Sequence, residues 1–250
     1  VYDQIKVSSN ILIKKYGEIE VNINKDLKSI DIKKYSRDGR VLILNSFLKE
    51  WKIKFDDLSP TYSTIDRRDK NGLSGCINIY DSIIENIELE INKAACEDAV
   101  NFVRTNGSIK KAFIIESLFD GIDTDFSNIN FIDIDIKKSG NDCLDFSFGI
   151  YILNNSSFSD CGDKAISIGE NSLLEIHNIE ISDSVIGIAS KDSSLTKLNN
   201  VYIDGVEYCV TSYKKKQEFN GGYIKYDNLV CKNYNLFSNV DKYSKIIEMN

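Results

Sequence analysis

An all-β fold, built as a parallel β-helix, follows from three features of this 250-residue chain. Apolar residues recur at a fixed step of 22 positions, each recurring unit holds two or three short strand patterns, and the units carry no helical spacing. Isoleucine, asparagine and serine are abundant, while one proline and 14 glycines leave a chain that is neither linker-rich nor collagen-like. That composition suits short strands joined by polar turns.

The first third is strand-like but irregular. Glu18-Ile19-Glu20-Val21-Asn22-Ile23, Ile30-Asp31-Ile32 and Trp51-Lys52-Ile53-Lys54-Phe55 alternate polar with apolar, and Val41-Leu42-Ile43-Leu44 reads as a buried strand. Asp66-Arg67-Arg68-Asp69-Lys70 then precedes the turn signal Asn71-Gly72. We read that cluster as a solvated loop whose two arginines are candidates to reach a ligand. Residues 1–72 are accordingly assigned to an N-terminal cap or irregular β coils.

From Leu73 the pattern is periodic. Stepping by 22 from Leu144 meets Val100, Ile122, Ile166, Ile188 and Val210, and the preceding position is always small: Ala99, Gly121, Cys143, Ala165, Gly187, Cys209. A second column at nearly the same step reads Ile115, Ile136, Phe158, Ile181 and Ile203. The unit is too short for a propeller blade and lacks the asparagine-leucine pattern of a leucine-rich repeat. It fits one coil of a β-helix, whose strands pair with their equivalents in the next coil about 4.8 Å away. A lone coil buries almost nothing, so residues 73–225 are expected to stand as an array of about seven coils. Residues 226–250 are the expected C-terminal cap, since open strand edges invite aggregation.

Alternation sorts the side chains. With Leu144 and Phe146 inward, Cys143, Asp145 and Ser147 point outward. Across coils the Asp145 position holds Asn101, Asp123, Asp145, Ser167, Ala189 and Thr211. The Ser147 position holds Val103, Asp125, Ser147, Gly169, Lys191 and Tyr213, and the Asp142 position holds Asp98, Asp120, Asp142, Lys164, Ile186 and Tyr208. Glu97, Asn141, Asp163 and Glu207 form the column before it, and the small column is expected to floor a groove. Carboxylates stacked about 5 Å apart repel one another and raise each other's pKa, so the stack is a candidate site rather than a structural preference.

Two chemistries use such a stack. A glycosidase needs a carboxylic acid and a carboxylate; Asp123, Asp125, Asp142, Asp145 and Asp163 with Lys164 are the catalytic candidates. Asp98, Asn101, Asp120, Lys191, Lys214 and Glu218 are the candidate substrate-binding residues. Alternatively Asp123, Asp125, Asp142 and Asp145 with waters could supply the oxygens of a Ca²⁺ ion, the one candidate cofactor. That ion would neutralise a uronic acid while Lys164 or Lys191 acts as base in β-elimination. A plain solvated Asp/Asn-rich face is the third reading.

At this point the sequence resembles the right-handed parallel β-helix superfamily of pectate lyases and polygalacturonases over roughly residues 73–225. The resemblance rests on coil length and on Asp123-Thr124-Asp125, Gly140-Asn141-Asp142 and Gly162-Asp163-Lys164-Ala165-Ile166-Ser167-Ile168-Gly169 following one another by one coil each. It implies catalytic aspartates at Asp125 and at Asp142 or its neighbour, and glycan chemistry on one exposed sheet. The histidine of the polygalacturonase pattern would fall near Asp163, where this chain has none. Lys214-Lys215-Lys216 is the nearest basic group to that pattern's Arg-x-Lys.

The remaining features bound the function. A charge of −7 argues against a nucleic-acid partner. No run of 18 apolar residues is present, so no membrane-spanning helix is expected. The chain opens at Val1 without a signal-peptide pattern, as a processed or excised piece would. Six cysteines without a CxxC pair read as reduced, buried thiols. His177, the one histidine, lies on a strand aligned with Asn199 and reads as a surface residue. Tyr213-Lys214-Lys215-Lys216-Gln217-Glu218-Phe219 reads as a solvated turn or an anion-holding run, and Glu170 as a cross-coil partner of Lys191. The expectation is therefore a carbohydrate-active protein, hydrolase, lyase or epimerase, acting on a polysaccharide or oligosaccharide. The alternative is a non-catalytic glycan-binding or cell-surface module. An extracellular or surface setting is favoured.

Overall fold

Stacked coils of about 22 residues build the fold, and they are held by strand pairs whose register repeats from one coil to the next. The computed structural model describes residues 2–60 and 66–249. Short strands Gly75–Tyr80, Asp98–Val103, Asp120–Asp125, Leu144–Ser147 and Lys164–Gly169 lie parallel in one sheet. The later parts of the long strands Leu173–Lys191 and Leu195–Tyr213 continue that sheet. The other faces come from strands that bend around the coil, such as Ile83–Ala94, Asn106–Ser117 and Ile150–Cys161.

The repeated apolar column is the spine. Val100 pairs with Ile122, Ile122 with Leu144, Leu144 with Ile166, Ile166 with Ile188 and Ile188 with Val210, and all six are fully buried. Each such side chain contributes about 1.5–3 kcal/mol by leaving water. In the second column Ile114, not Ile115, pairs with Ile136; Ile114 is fully buried and Ile115 only half-buried. Phe113-Ile114-Ile115 is a continuous apolar run, so alternation alone does not tell which member points inward.

The small column also differs from expectation. Ala99, Cys143, Ala165 and Cys209 are fully buried, so this position turns into the coil interior and does not floor an outer groove. A Cβ on Gly121 would lie 2.6 Å from the Cys143 carbonyl oxygen, and one on Gly187 would lie 2.6 Å from that of Cys209. Crowding by the next coil's backbone is what keeps the position small. Nor are the cysteines reduced: Cys76–Cys96, Cys143–Cys161 and Cys209–Cys231 are disulfides. Partners 18 to 22 residues apart are nearly one coil apart, which brings them within bridging distance.

A left-handed corner ends each short strand of the first sheet. Asp81, Arg104, Phe126, Phe148, Glu170 and Asp192 occupy it with φ between 45° and 51°. Buried hydroxyls follow within two residues: Ser82, Thr105, Ser127, Ser172 and Ser194 are nearly or wholly buried. Ser127 Oγ donates to the Asp125 carbonyl at 2.7 Å and accepts the Thr105 amide at 3.0 Å. These bonds fix where each strand leaves the sheet.

Parallel stacking reaches further at both ends than residues 73–225. Ser29–Lys34 pairs in parallel with Lys52–Asp57, and Tyr223–Val240 pairs with Leu195–Tyr213. At the N-terminal end, antiparallel hairpins Asp3–Ser8/Ile11–Tyr16 and Ile19–Asn24/Ser29–Lys34 close the stack. A buried ion pair anchors this end: Lys34 Nζ donates to Asp57 Oδ2 at 2.7 Å, and neither side chain is exposed.

The column predicts contrasting effects on its two sides. Leu144→Ala should lose roughly 2–5 kcal/mol of unfolding free energy in urea titrations. The outward change Asp123→Asn, at a carboxyl whose hydrogen-bond donor is the neutral Asn101, should leave the urea midpoint unchanged or raise it. Breaking Cys143–Cys161 with Cys143→Ser and Cys161→Ser should cost about 3 kcal/mol by the loop-entropy relation.

Candidate active site

Outward residues of the short-strand sheet border a cleft of about 630 Å³. Its floor is acidic: Asp98, Asp120, Asp123, Asp125 and Asp145 line it, with Glu97 and Glu170 at its margins. Its walls bring cations: Lys191 from the end of a strand of the same sheet, and Arg67, Arg68, Lys215 and Lys216 from outside it.

Register sets the spacing. Asp123 is paired in register with Asp145, and Asp125 with Ser147. Neighbouring coils put equivalent positions about 4.8 Å apart, and two residues along a strand advance about 6.6 Å. Asp123 and Asp145 therefore stand at the first spacing, Asp123 and Asp125 at the second, and Asp125 and Asp145 on a diagonal of about 8 Å.

Each carboxyl has a distinct environment. Asn101 Nδ2 donates to Asp123 Oδ2 at 3.0 Å. Asp120 accepts the Asp142 amide at 2.8 Å and Asn141 Nδ2 at 2.6 Å. Asp142 in turn accepts the Lys164 amide at 3.1 Å and Lys164 Nζ at 3.3 Å. Asp120 and Asp142 thus form a ladder that ties one coil to the next at the strand entrance. Lys191 lies over Gly169, where no side chain blocks it, and reaches across two coils to within 3.8 Å of Asp145 Oδ1. Glu170 accepts Lys216 Nζ at 2.5 Å and Ser147 Oγ at 2.6 Å, so its partner is Lys216 rather than Lys191. Asp98 Oδ2, Glu97 Oε2 and Asp145 Oδ1 are buried and accept no hydrogen bond among the described residues.

Crowded, dehydrated carboxyls hold their protons. Burial, then the charge of Asp142, pushes Asp120 to about 7. Burial and then Asp145 push both Asp125 and Asp142 to about 6. Burial raises Asp98 and Asp123 well above the carboxylate range, reinforced by Asp120 and Glu97 at Asp98 and by Asp98 and Asp125 at Asp123. Glu170 goes the other way: burial opposes its ionisation, but the bonds from Lys216 and Ser147 outweigh it. Burial likewise opposes the charge of Lys191 and Lys164, and their acidic neighbours overcome it and raise both.

The structure thus brings Asp98, Asp120, Asp123, Asp125, Asp145 and Lys191 to one cleft, with Asn101 bonded to its floor. Asp142 stands buried one step behind in the ladder, and Asp163 pairs with Lys164 beside it. Lys214 places its ammonium 5.5 Å from the Tyr243 ring centre, and Glu218 is exposed outside the cleft. Lys215 and Lys216, the neighbours of Lys214, are the lysines of that run that face the cleft. Ser74, Arg67 and Arg68 join from segments with no 22-residue periodicity, and Glu97 joins from the column before the Asp142 position. His177 lies on the strand paired with Asn199, away from the cleft lining. No group of three or more His, Cys, Asp or Glu side chains among the described residues is disposed to hold a metal ion, so the four-aspartate Ca²⁺ arrangement does not fit. No helix of the described residues is long and apolar enough to cross a membrane.

No protein-family profile matches the chain, and no curated protein matches it. Among solved structures it is similar to the catalytic domain of a GH87 alpha-1,3-glucanase in complex with nigerose, with a TM-score of 0.40 and 9% identity. A second likeness, to such a domain in complex with tetrasaccharides, has a TM-score of 0.37 and 10% identity. Each covers 82% of this chain, which spans 54% of the glucanase domain.

The raised carboxyls predict how stability depends on pH. Unfolded aspartate titrates near 3.9, while Asp120 holds its proton to about 7 and Asp125 and Asp142 to about 6. Between these limits the folded chain binds more protons than the unfolded one, so stability falls as pH rises from about 4 to 7. The melting temperature should be higher at pH 5 than at pH 8, and Asp123→Asn should raise it at pH 8 more than at pH 5. A flat profile over this interval would refute the crowding of these carboxyls.

Proposed function

We propose that this chain is a glycoside hydrolase acting on a polysaccharide, with Asp125 as general acid and Asp145 as general base. The observation that carries the reading is the presence of those two carboxyls on the floor of one cleft, on neighbouring strands. Asp125 holds a proton up to about 6 and is half-buried there. Asp145 stands diagonally opposite with Lys191 beside it. Their backbone positions lie on a diagonal of about 8 Å, a spacing compatible with inversion, in which the carboxyl groups stand roughly 6.5–9.5 Å apart to admit a water.

In this reading Asp125 gives its proton to the glycosidic oxygen as the bond to the anomeric carbon breaks. Asp145 takes a proton from the water that attacks that carbon from the opposite face. Afterwards one proton passes from Asp145 to solvent and another returns to Asp125. Asp123, held by Asn101, lies between them and contacts the sugar being cleaved. Elimination by a lysine base is less well supported, because an amine must lose its proton to act as a base and both Lys164 and Lys191 are held as ammonium ions by their acidic neighbours. Three disulfides support an oxidising, extracytoplasmic setting.

Asp125→Asn and Asp145→Asn should each lower kcat at least about 100-fold on the polysaccharide that the wild type cleaves, with the fold retained by circular dichroism. The wild-type kcat/KM should fall as pH rises above about 6 as Asp125 loses its proton. Nuclear magnetic resonance of the first product should show an inverted anomeric centre. Binding of oligosaccharides without turnover by the wild type would instead identify a non-catalytic glycan-binding module.

A further inference from the structure

Two phenylalanines stand at the corner that ends the acidic strands. Phe126 follows Asp125 and Phe148 follows Ser147, both of which line the cleft. Their rings stack with centroids 4.6 Å apart and planes 6° from parallel. Phe219 meets Phe148 edge-on at 6.1 Å. Despite these contacts Phe126 remains 53% exposed and Phe148 38% exposed.

Fold stability does not call for phenylalanine here. The corner is left-handed, with φ of 51° at both residues, a region bulky side chains seldom adopt. Equivalent corners carry Asp81, Arg104, Glu170 and Asp192 in the same conformation. The main chain is pinned: the Phe126 amide donates to the Ser147 carbonyl at 3.0 Å and the Phe148 amide to that of Glu170 at 3.2 Å. Phe219 is held by its own segment, where the Lys215 and Lys216 amides donate to buried Asp192 at 2.7 and 2.8 Å and the Asn220 amide to Ser193 Oγ at 2.8 Å. Arg104, the corner residue one coil before Phe126, forms a two-bond pair with Asp81 at 2.6 and 2.9 Å.

We propose that Phe126, backed by Phe148 and Phe219, is a sugar-stacking subsite at the edge of the acidic cleft. It would take one pyranose unit of the same glycan by the apolar C–H face of its ring. This inference rests on the glycan reading above and deepens it. Carboxyls on the floor recognise hydroxyls and drive chemistry, but offer no apolar surface. The rings supply that surface one residue away, on a rigid corner, so a chain bound there is held in register with Asp125. The unit on the platform is not the one cleaved, so the subsite should govern affinity for longer oligosaccharides and leave the chemical step untouched.

The test uses the full chain carrying Asp125→Asn, so that bound sugar is not consumed. Titration calorimetry with linear gluco-, manno-, galacto- and galacturono-oligosaccharides, from disaccharide to hexasaccharide, measures Kd. Adding Phe126→Ala should weaken binding of the longer members about five- to tenfold and leave the disaccharide's affinity unchanged. Phe126→Asn, which tolerates the left-handed corner, should do the same with an unchanged melting temperature. Phe126→Trp should retain binding, and because the one native tryptophan, Trp51, is buried in the core, its new indole emission should shift on adding sugar. In otherwise wild-type protein, Phe126→Ala should raise KM on the polymer without lowering kcat. If longer oligosaccharides bind and Phe126→Ala leaves their Kd unchanged, the subsite is wrong and the glycan reading stands. If the Asp125→Asn protein binds no member of the panel, both fall together.

Discussion

Hydrogen-bonded register between coils is the constraint on which the rest of this structure depends. Once Val100 pairs with Ile122 and Ile122 with Leu144, every other position on those strands is stacked as well. Inside, this stacks β-branched side chains at van der Waals contact and stabilises the array. Outside, it forces Asp123 directly beside Asp145 and Asp98 directly beside Asp120. The backbone cannot relax this repulsion without breaking the pairs that hold the interior. The strain is therefore expressed as retained protons, which is the form in which a carboxyl can act as an acid near neutral pH.

Relief comes from cations, one within the repeat and the others outside it. Lys191 passes over Gly169 and comes within 3.8 Å of Asp145 Oδ1. Lys216 arrives on the segment between Tyr213 and Tyr223 and captures Glu170, which frees the cleft of one negative neighbour. Arg67 neutralises Glu97 from the N-terminal side, with Nε donating to Oε1 at 2.7 Å. The cations attach to Asp145, Glu170 and Glu97, while among the described residues Asp123 takes its hydrogen bond from the neutral Asn101. A neutral amide beside it leaves its raised affinity for a proton intact, which a lysine there would abolish.

The sequence made the interior of the fold legible wherever one coil differs from the next by 22 residues, because position and direction then repeat together. The Val100–Val210 column is read correctly for that reason. Phe113-Ile114-Ile115 defeats the same method, since three adjacent apolar residues carry no alternation. Cys143 was assigned outward by strand alternation, which fails at the strand entrance: Cys143 and its equivalents Ala99 and Ala165 are all fully buried. Disulfide pairing depends on distances across a coil, which spacing alone does not supply. Of the site, the carboxylates were legible as columns. Lys216, Arg67 and Arg68 come to the cleft through loops and corners, whose path no periodicity describes. Phe126 and Phe148 were 22 residues apart and visible in principle, but a corner in the left-handed region turns them outward, and nothing in their identity signals that conformation.

The division of labour between strand and corner explains how one coil type can carry both a core and a site. Strand residues are constrained twice, by pairing and by the interior they must fill, so their outward neighbours vary only in chemistry and hardly in position. Corner residues are constrained in backbone conformation, yet their side chains are free to vary, as Asp81, Arg104, Phe126, Phe148, Glu170 and Asp192 show. Reactive groups that must be held to a fraction of an ångström belong on the first kind of position, where the aspartates are. An apolar platform tolerates less precise placement and can stand on the second, where the phenylalanines are. Buried Ser127 joins the two, with its hydroxyl bonded to the Asp125 carbonyl and accepting the Thr105 amide of the preceding coil. A change at that hydroxyl would move the carboxyl and the aromatic platform together, which makes the corner, rather than either side chain, the unit that sets their relative geometry.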